Sequence, residues 1–147
     1  MHPYPHTYVE SVAGAPNGLV SVTSPQWGGF DSAPPPEFDG PGGVWSPETL
    51  LCGSIADRFI LTFRAIARAA RFEWIGLTCR VEGVLERVDQ TSQFTRFTTF
   101  VKLQIPASAD EGRARELLER AERGCLIANS LRGSRKLESQ VSVAADA

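Results

Sequence analysis

Apolar and polar positions over residues 47 to 70 repeat with a helical period. At about 100° per residue, Leu51, Ile55, Phe59, Thr62, Ile66 and Ala69 share one arc, and Asp57, Arg64, Arg68 and Arg71 form a stripe on the opposite side. Ser46 stands where a cap is needed and Pro47 suits the first helical position, so the spacing predicts a helix from Pro47 to Ala70. The period then switches to two. In "IGLTCRVEGVLERV", Leu77, Cys79, Val81, Gly83 and Leu85 fall on one face, with Thr78, Arg80, Glu82 and Glu86 on the other. "RFTTFVKLQI" alternates likewise, with Phe97, Thr99, Val101, Leu103 and Ile105 inward, and "DQTSQ" is the turn between them. The pair reads as an antiparallel hairpin with one wet face. A second helix is expected from Ser108 or Asp110, carrying Ala114, Leu117, Ala121 and Cys125 inward and ending around "GCLIANSL". "SRKLESQVSV" is the last strand.

Upstream, "HTYVESV" and "GLVSVTS" flank the turn "AGAPNG" and predict a hairpin. Residues 25–45 are rich in Pro and Gly and show neither period. Trp27, Phe30, Phe38 and Trp45 give that stretch enough apolar area to pack, so an ordered loop is expected. The order β-β-α-β-β-α-β makes an α+β fold, with antiparallel strands covering one or two long helices in a single domain, 1–147.

Composition narrows the chemistry. A net charge of -2 without a basic block argues against nucleic acid. The most apolar stretch, Phe59 to Phe63, is flanked by arginines and too short to span a bilayer, which points to the cytoplasm. Cys52, Cys79 and Cys125 are widely spaced and form neither a zinc framework nor a disulfide scaffold. The two histidines, His2 and His6, lie in the N-terminal arm, so neither a histidine-assisted nucleophile nor a His-rich metal site is expected.

One residue breaks the helical pattern. Arg58 points near Leu51, Ala65 and Ala69, at the edge of the apolar arc and away from the arginine stripe. Buried, it needs a partner. Glu48 lies ten residues earlier, about 15 Å along a continuous helix, so pairing with it requires a second subunit or a helix break. Asp39 and Glu37 are alternatives, as is an escape to water along the methylenes. Asp57 points elsewhere and is expected to join Arg64 at the surface.

"PPEFDGPGGVWSPETLL", "ADRFILTFRAIAR" and "LLERAERGCLIANSLR", with the strand order, resemble the OsmC/Ohr family from His6 to Val143. The resemblance implies antiparallel sheets wrapped around long central helices in an intertwined homodimer, with sites at the subunit interface. It also implies a thiol peroxidase for organic hydroperoxides that uses no flavin, haem or metal. On the family's motif, Cys125 occupies the resolving-cysteine position and Glu48 that of the active-site glutamate. Arg58 stands where "A-x-C-F" places the peroxidatic cysteine, and no arginine precedes it.

A guanidinium stays protonated and cannot attack a peroxide. The expected product is therefore a peroxidase-inactive member that retains a hydrophobic pocket at the dimer interface. Trp27, Phe30, Phe38 and Trp45 would wall it, and Arg58 would hold an amphipathic anion in place of a hydrophobic hydroperoxide. The alternative is an active thiol peroxidase using Cys52 or Cys125. Cys52, four residues after Glu48, reads as packed core, because a carboxylate neighbour raises a thiol pKa. Cys79 reads as inert strand sulfur.

Overall fold

Valine alternation in "GLVSVTS" and the glycine of "PNG" build the start of the chain. β1 (Ser11–Ala13) pairs antiparallel with β2 (Val20–Ser24), Val12 opposite Val22. Gly18, at φ 92°, supplies the left-handed residue in the connection. β2 then pairs antiparallel with β3 (Gly28–Ser32), Val22 opposite Phe30, giving the sheet order β1-β2-β3. β3 corrects the expectation of a loop without strands over 25–45. Its sequence, "GGFDS", has no alternation to reveal it. Gly29 is required there, since a Cβ would fall 2.1 Å from the Val22 carbonyl oxygen. A 3-10 turn follows at Pro36–Phe38, and the Ala33 amide donates to the Trp45 carbonyl at 3.0 Å.

This computed structural model describes residues 1–145. The chain divides into two compact units, Met1–Leu50 and Leu51–Ala147. α1 (Pro47–Ala69) begins in the first and continues in the second. Ser46 Oγ accepts from the Thr49 amide at 3.1 Å and the Ser46 amide donates to Thr49 Oγ1 at 3.0 Å, a reciprocal cap. At the other end Arg71 takes a left-handed φ of 53°, and the Phe72 amide closes back onto the Ala67 carbonyl at 2.9 Å. Ile55, Phe59, Thr62, Phe63 and Ala67 are the buried residues of α1. The buried stripe thus drifts toward Phe63 and Ala67 and leaves Ala69 exposed.

β4 (Gly76–Val88) and β5 (Thr91–Ile105) form the expected antiparallel hairpin. The turn is tighter than "DQTSQ": Asp89 and Gln90 alone connect the strands, both at positive φ, as a two-residue hairpin turn demands. A bulge near Val84/Leu85 lets Val84 face Arg96 while Leu85 faces Phe94, so Thr95 is extra and Leu85 is exposed. Beyond the bulge, alternation holds: Phe97, Thr99, Val101, Leu103 and Ile105 are all buried.

α2 (Glu111–Gly124) starts at Asp110, whose Oδ1 accepts from the Arg113 amide at 2.8 Å. Ala114, Leu117, Leu118 and Ala121 point inward and meet Phe59, Phe63 and Ala67 of α1 and Val101, Leu103 and Ile105 of β5 in one core. β6 (Ser134–Val143) runs parallel to β5, Arg96 opposite Ser134, in the order β4-β5-β6. Antiparallel pairing throughout was expected. The helix between β5 and β6 returns the chain to the end where β5 began, and that crossover makes the pair parallel. Arg135 at the start of β6 locks onto α2: its Nε donates to Glu122 Oε1 at 2.9 Å and its Nη1 to Asn129 Oδ1 at 2.6 Å. Among the described residues the fold is mixed α+β, with two α-helices and two three-stranded sheets.

Candidate functional site

Three buried side-chain polar atoms without a hydrogen-bond partner stand on α1: Glu48 Oε2, Arg58 Nε and Thr62 Oγ1. Among the described residues no salt bridge includes Glu48, Arg58, Asp57 or Arg64, so the expected Asp57–Arg64 surface pair is not formed. Glu48 sits in the first helical turn, where the positive end of the helix dipole favours a carboxylate. Arg58 is half-buried. Its Nε lies away from solvent while Asp57, one position earlier, is exposed. Thr62 follows one turn later and is 8% exposed.

Cys125, at the C-terminal cap of α2, is fully buried, and its Sγ donates to the Ile55 carbonyl at 3.9 Å. Ile55 is three residues before Arg58. The structure therefore brings Cys125 within one helical turn of position 58, across seventy residues of chain. Ile55, Phe97, Cys125 and Ala128 make a second core cluster, with Cys52, Phe94 and Leu131 packed on it.

Cys52 is half-buried. Burial pushes its thiol up, and a hydrogen bond from the Gly83 backbone opposes that only in part. Burial, not Glu48, is thus the cause of its low acidity. A Cβ on Gly83 would lie 2.9 Å from both Cys52 Sγ and Phe94 Cε1. Gly83→Ala should therefore lower stability by about 1–3 kcal/mol through overpacking. Urea unfolding measures this, and the Gly83→Ala/Cys52→Ala pair should recover part of the loss. Equal losses in the single and double variants would show that Cys52 is not the obstacle.

Cys79 is half-buried on β4. Burial first, then the Glu122 carboxylate and Cys125, push its thiol up to about 12. The folded chain holds this proton more tightly than the unfolded chain does. The contribution is complete below the ordinary thiol pKa and is lost as pH rises toward the folded value. Cys79→Ala should flatten the decline in stability between about pH 9 and 11, read as melting temperature against pH. An unchanged slope would assign that decline to other groups.

The four aromatics proposed as pocket walls are each exposed in the single chain: Trp27 in the β2–β3 connection, Phe30 on β3, Phe38 in the 3-10 turn and Trp45 just before the cap. On α1, Leu61, Ala65 and Ala69 are exposed at spacings of four. The periodic pattern did not signal a groove of about 420 Å³ floored by Leu51, Phe94, Phe97 and Leu131, with Arg132 and Asp89 at its rim. Phe94 reaches that floor because the Thr95 bulge resets the alternation, and it stacks on Phe97 with centroids 5.2 Å apart. Among the described residues there is no cluster of three metal-ligating side chains. No helix among them is long and apolar enough to cross a membrane.

Residues 40–140 match the family model described as OsmC-like protein. The Bacillus subtilis protein YmaD is 29% identical over 112 residues, which span 74% of this chain and 75% of YmaD. Among solved structures, an OsmC-like protein of Vibrio cholerae superposes with a TM-score of 0.84 at 13% identity, over 92% of this chain and all of that one. The organic hydroperoxide resistance protein OsmC of Legionella pneumophila gives 0.68 at 25% identity, over 96% of this chain and all of that one.

Proposed function

This chain belongs to the OsmC-like protein family, and on that premise we propose that it is a homodimeric member that no longer reduces hydroperoxides and instead binds amphipathic anions. The observation that carries this reading is Arg58. A permanent cation, with its Nε buried and without a partner, stands at the helix position where the family motif has its reactive cysteine. A buried guanidinium N–H without a partner costs about 1–3 kcal/mol, which an anion that reaches it recovers. A carboxylate on a hydrophobic tail satisfies both the charge and the exposed apolar neighbours Leu61 and Ala65. The Legionella relative's name refers to organic hydroperoxide resistance, so the proposed ligand keeps the apolar part of such a substrate and exchanges its reactive group for an anion.

The homodimer is supported by the exposed Leu61, Ala65 and Ala69 stripe of α1 and by the exposed aromatics Trp27, Phe30, Phe38 and Trp45. In that assembly Glu48 has a second subunit from which to find a cation. Residues 1–147 act as one domain of the family, in the cytoplasm and without a cofactor. Isothermal titration with octanoate tests the ligand reading: saturable binding is expected, and Arg58→Gln should abolish it. Absence of binding to the unaltered chain would end it.

Cys125 favours a second reading, since it lies one turn from position 58. In that case Cys125, or Cys52, serves as an unconventional peroxidatic thiol and Glu48 keeps its role in the site. Full burial of Cys125 and the raised pKa of Cys52 both work against the thiolate this requires.

A further inference from the structure

Resting on the anion-binding reading of Arg58, we infer that Thr62 is the second polar anchor of that site, so that Arg58 Nε and Thr62 Oγ1 together seat one carboxylate. A threonine inside a helix ordinarily turns its hydroxyl back to the carbonyl four residues earlier. Thr62 does not: its Oγ1 is buried and has no partner, although the side chain is 8% exposed. Its methyl group faces α2, where a Cβ on Gly124 would lie 3.5 Å from Cγ2.

Arg58 and Thr62 are four residues apart, about 6 Å along the helix and on the same face. Arg58 Nε can only donate and the Thr62 hydroxyl can donate, so the group that satisfies both must accept twice. A carboxylate does so and also neutralises the guanidinium. A neutral ester or a hydroperoxide offers weaker acceptors and no charge. The exposed Leu61 and Ala65 beside these two residues suit a ligand whose remainder is apolar. On the helical wheel Thr62 is one more member of the apolar arc, so nothing local marks it.

The test compares octanoate and methyl octanoate by isothermal titration against the unaltered chain, Thr62→Val, Thr62→Ser and Arg58→Gln. Thr62→Val keeps the shape of the side chain and removes the hydroxyl. It should weaken octanoate binding about tenfold, the effect of one lost hydrogen bond to a charged group. Thr62→Ser should restore most of that loss, and methyl octanoate should bind weakly to every chain. Near-UV circular dichroism checks that Thr62→Val is folded, and the serine variant gives an independent reading if it is not. Octanoate bound equally by Thr62→Val and the unaltered chain, but lost in Arg58→Gln, would overturn the role of Thr62 while leaving the Arg58 reading intact. No octanoate binding by the unaltered chain would remove both.

Discussion

Cumene hydroperoxide in the presence of dithiothreitol should disappear no faster with the unaltered chain than with a variant in which Cys52, Cys79 and Cys125 are all serine. Peroxide cleavage requires a thiolate in reach of solvent. Cys125 is fully buried and donates to a carbonyl, burial raises the Cys52 thiol, and Cys79 is pushed up to about 12. Arg58→Cys should change this by the largest factor of any single substitution, lifting turnover at least tenfold above the reductant background. The gain should grow toward alkaline pH, because no arginine precedes position 58 in the chain to hold the new sulfur as thiolate at neutral pH. If Arg58→Cys works, Cys125 is one turn away to close a disulfide with the new sulfenic acid, so one equivalent of peroxide should leave Arg58→Cys as a disulfide and Arg58→Cys/Cys125→Ser as a sulfenic acid that dimedone traps. Rapid turnover by the unaltered chain that vanishes in Cys125→Ser would instead establish the second reading and remove the proposed loss of chemistry.

Phe63→Ala should be the most damaging substitution for stability, lowering it by about 3–5 kcal/mol. Phe63 is fully buried where α1, α2 and β5 meet, and it packs edge-on against Trp74 with centroids 5.3 Å apart. Truncation leaves a cavity lined by Leu117, Leu118 and Leu103, side chains held by two other elements and so unable to collapse into it. Chemical unfolding followed by far-UV circular dichroism measures the loss. Leu61→Ala on the exposed side of the same helix should cost less than about 0.5 kcal/mol in the single chain. A comparable loss at Leu61 would mean that this face is covered in solution, in line with the proposed dimer.

The buried face of β5 could be read before any coordinates were known, because residues two apart on a strand share a face whatever surrounds them. The same locality made the Ser46 cap, the inner face of α2 and the extent of β6 legible. It also exposed Arg58, since a charge on an apolar arc stands out on any wheel. Where the local pattern is absent, the element leaves no mark in the sequence. "GGFDS" carries no alternation, and β3 exists because β2 lies beside it. Leu85 belongs to an alternating run, yet the bulge at Thr95 turns it to solvent and brings Phe94 in.

What sequence by itself determined, then, is each element's period, its caps and the chemical oddity at position 58, all consequences of bonding within a few residues. Tertiary structure alone decided that β6 runs parallel to β5, that Cys125 meets the Ile55 carbonyl seventy residues away, and that Arg58 and Thr62 keep buried polar atoms without partners. Those outcomes depend on which distant surfaces pack together and on how much water each polar atom loses when they do. No periodicity along a chain encodes either quantity.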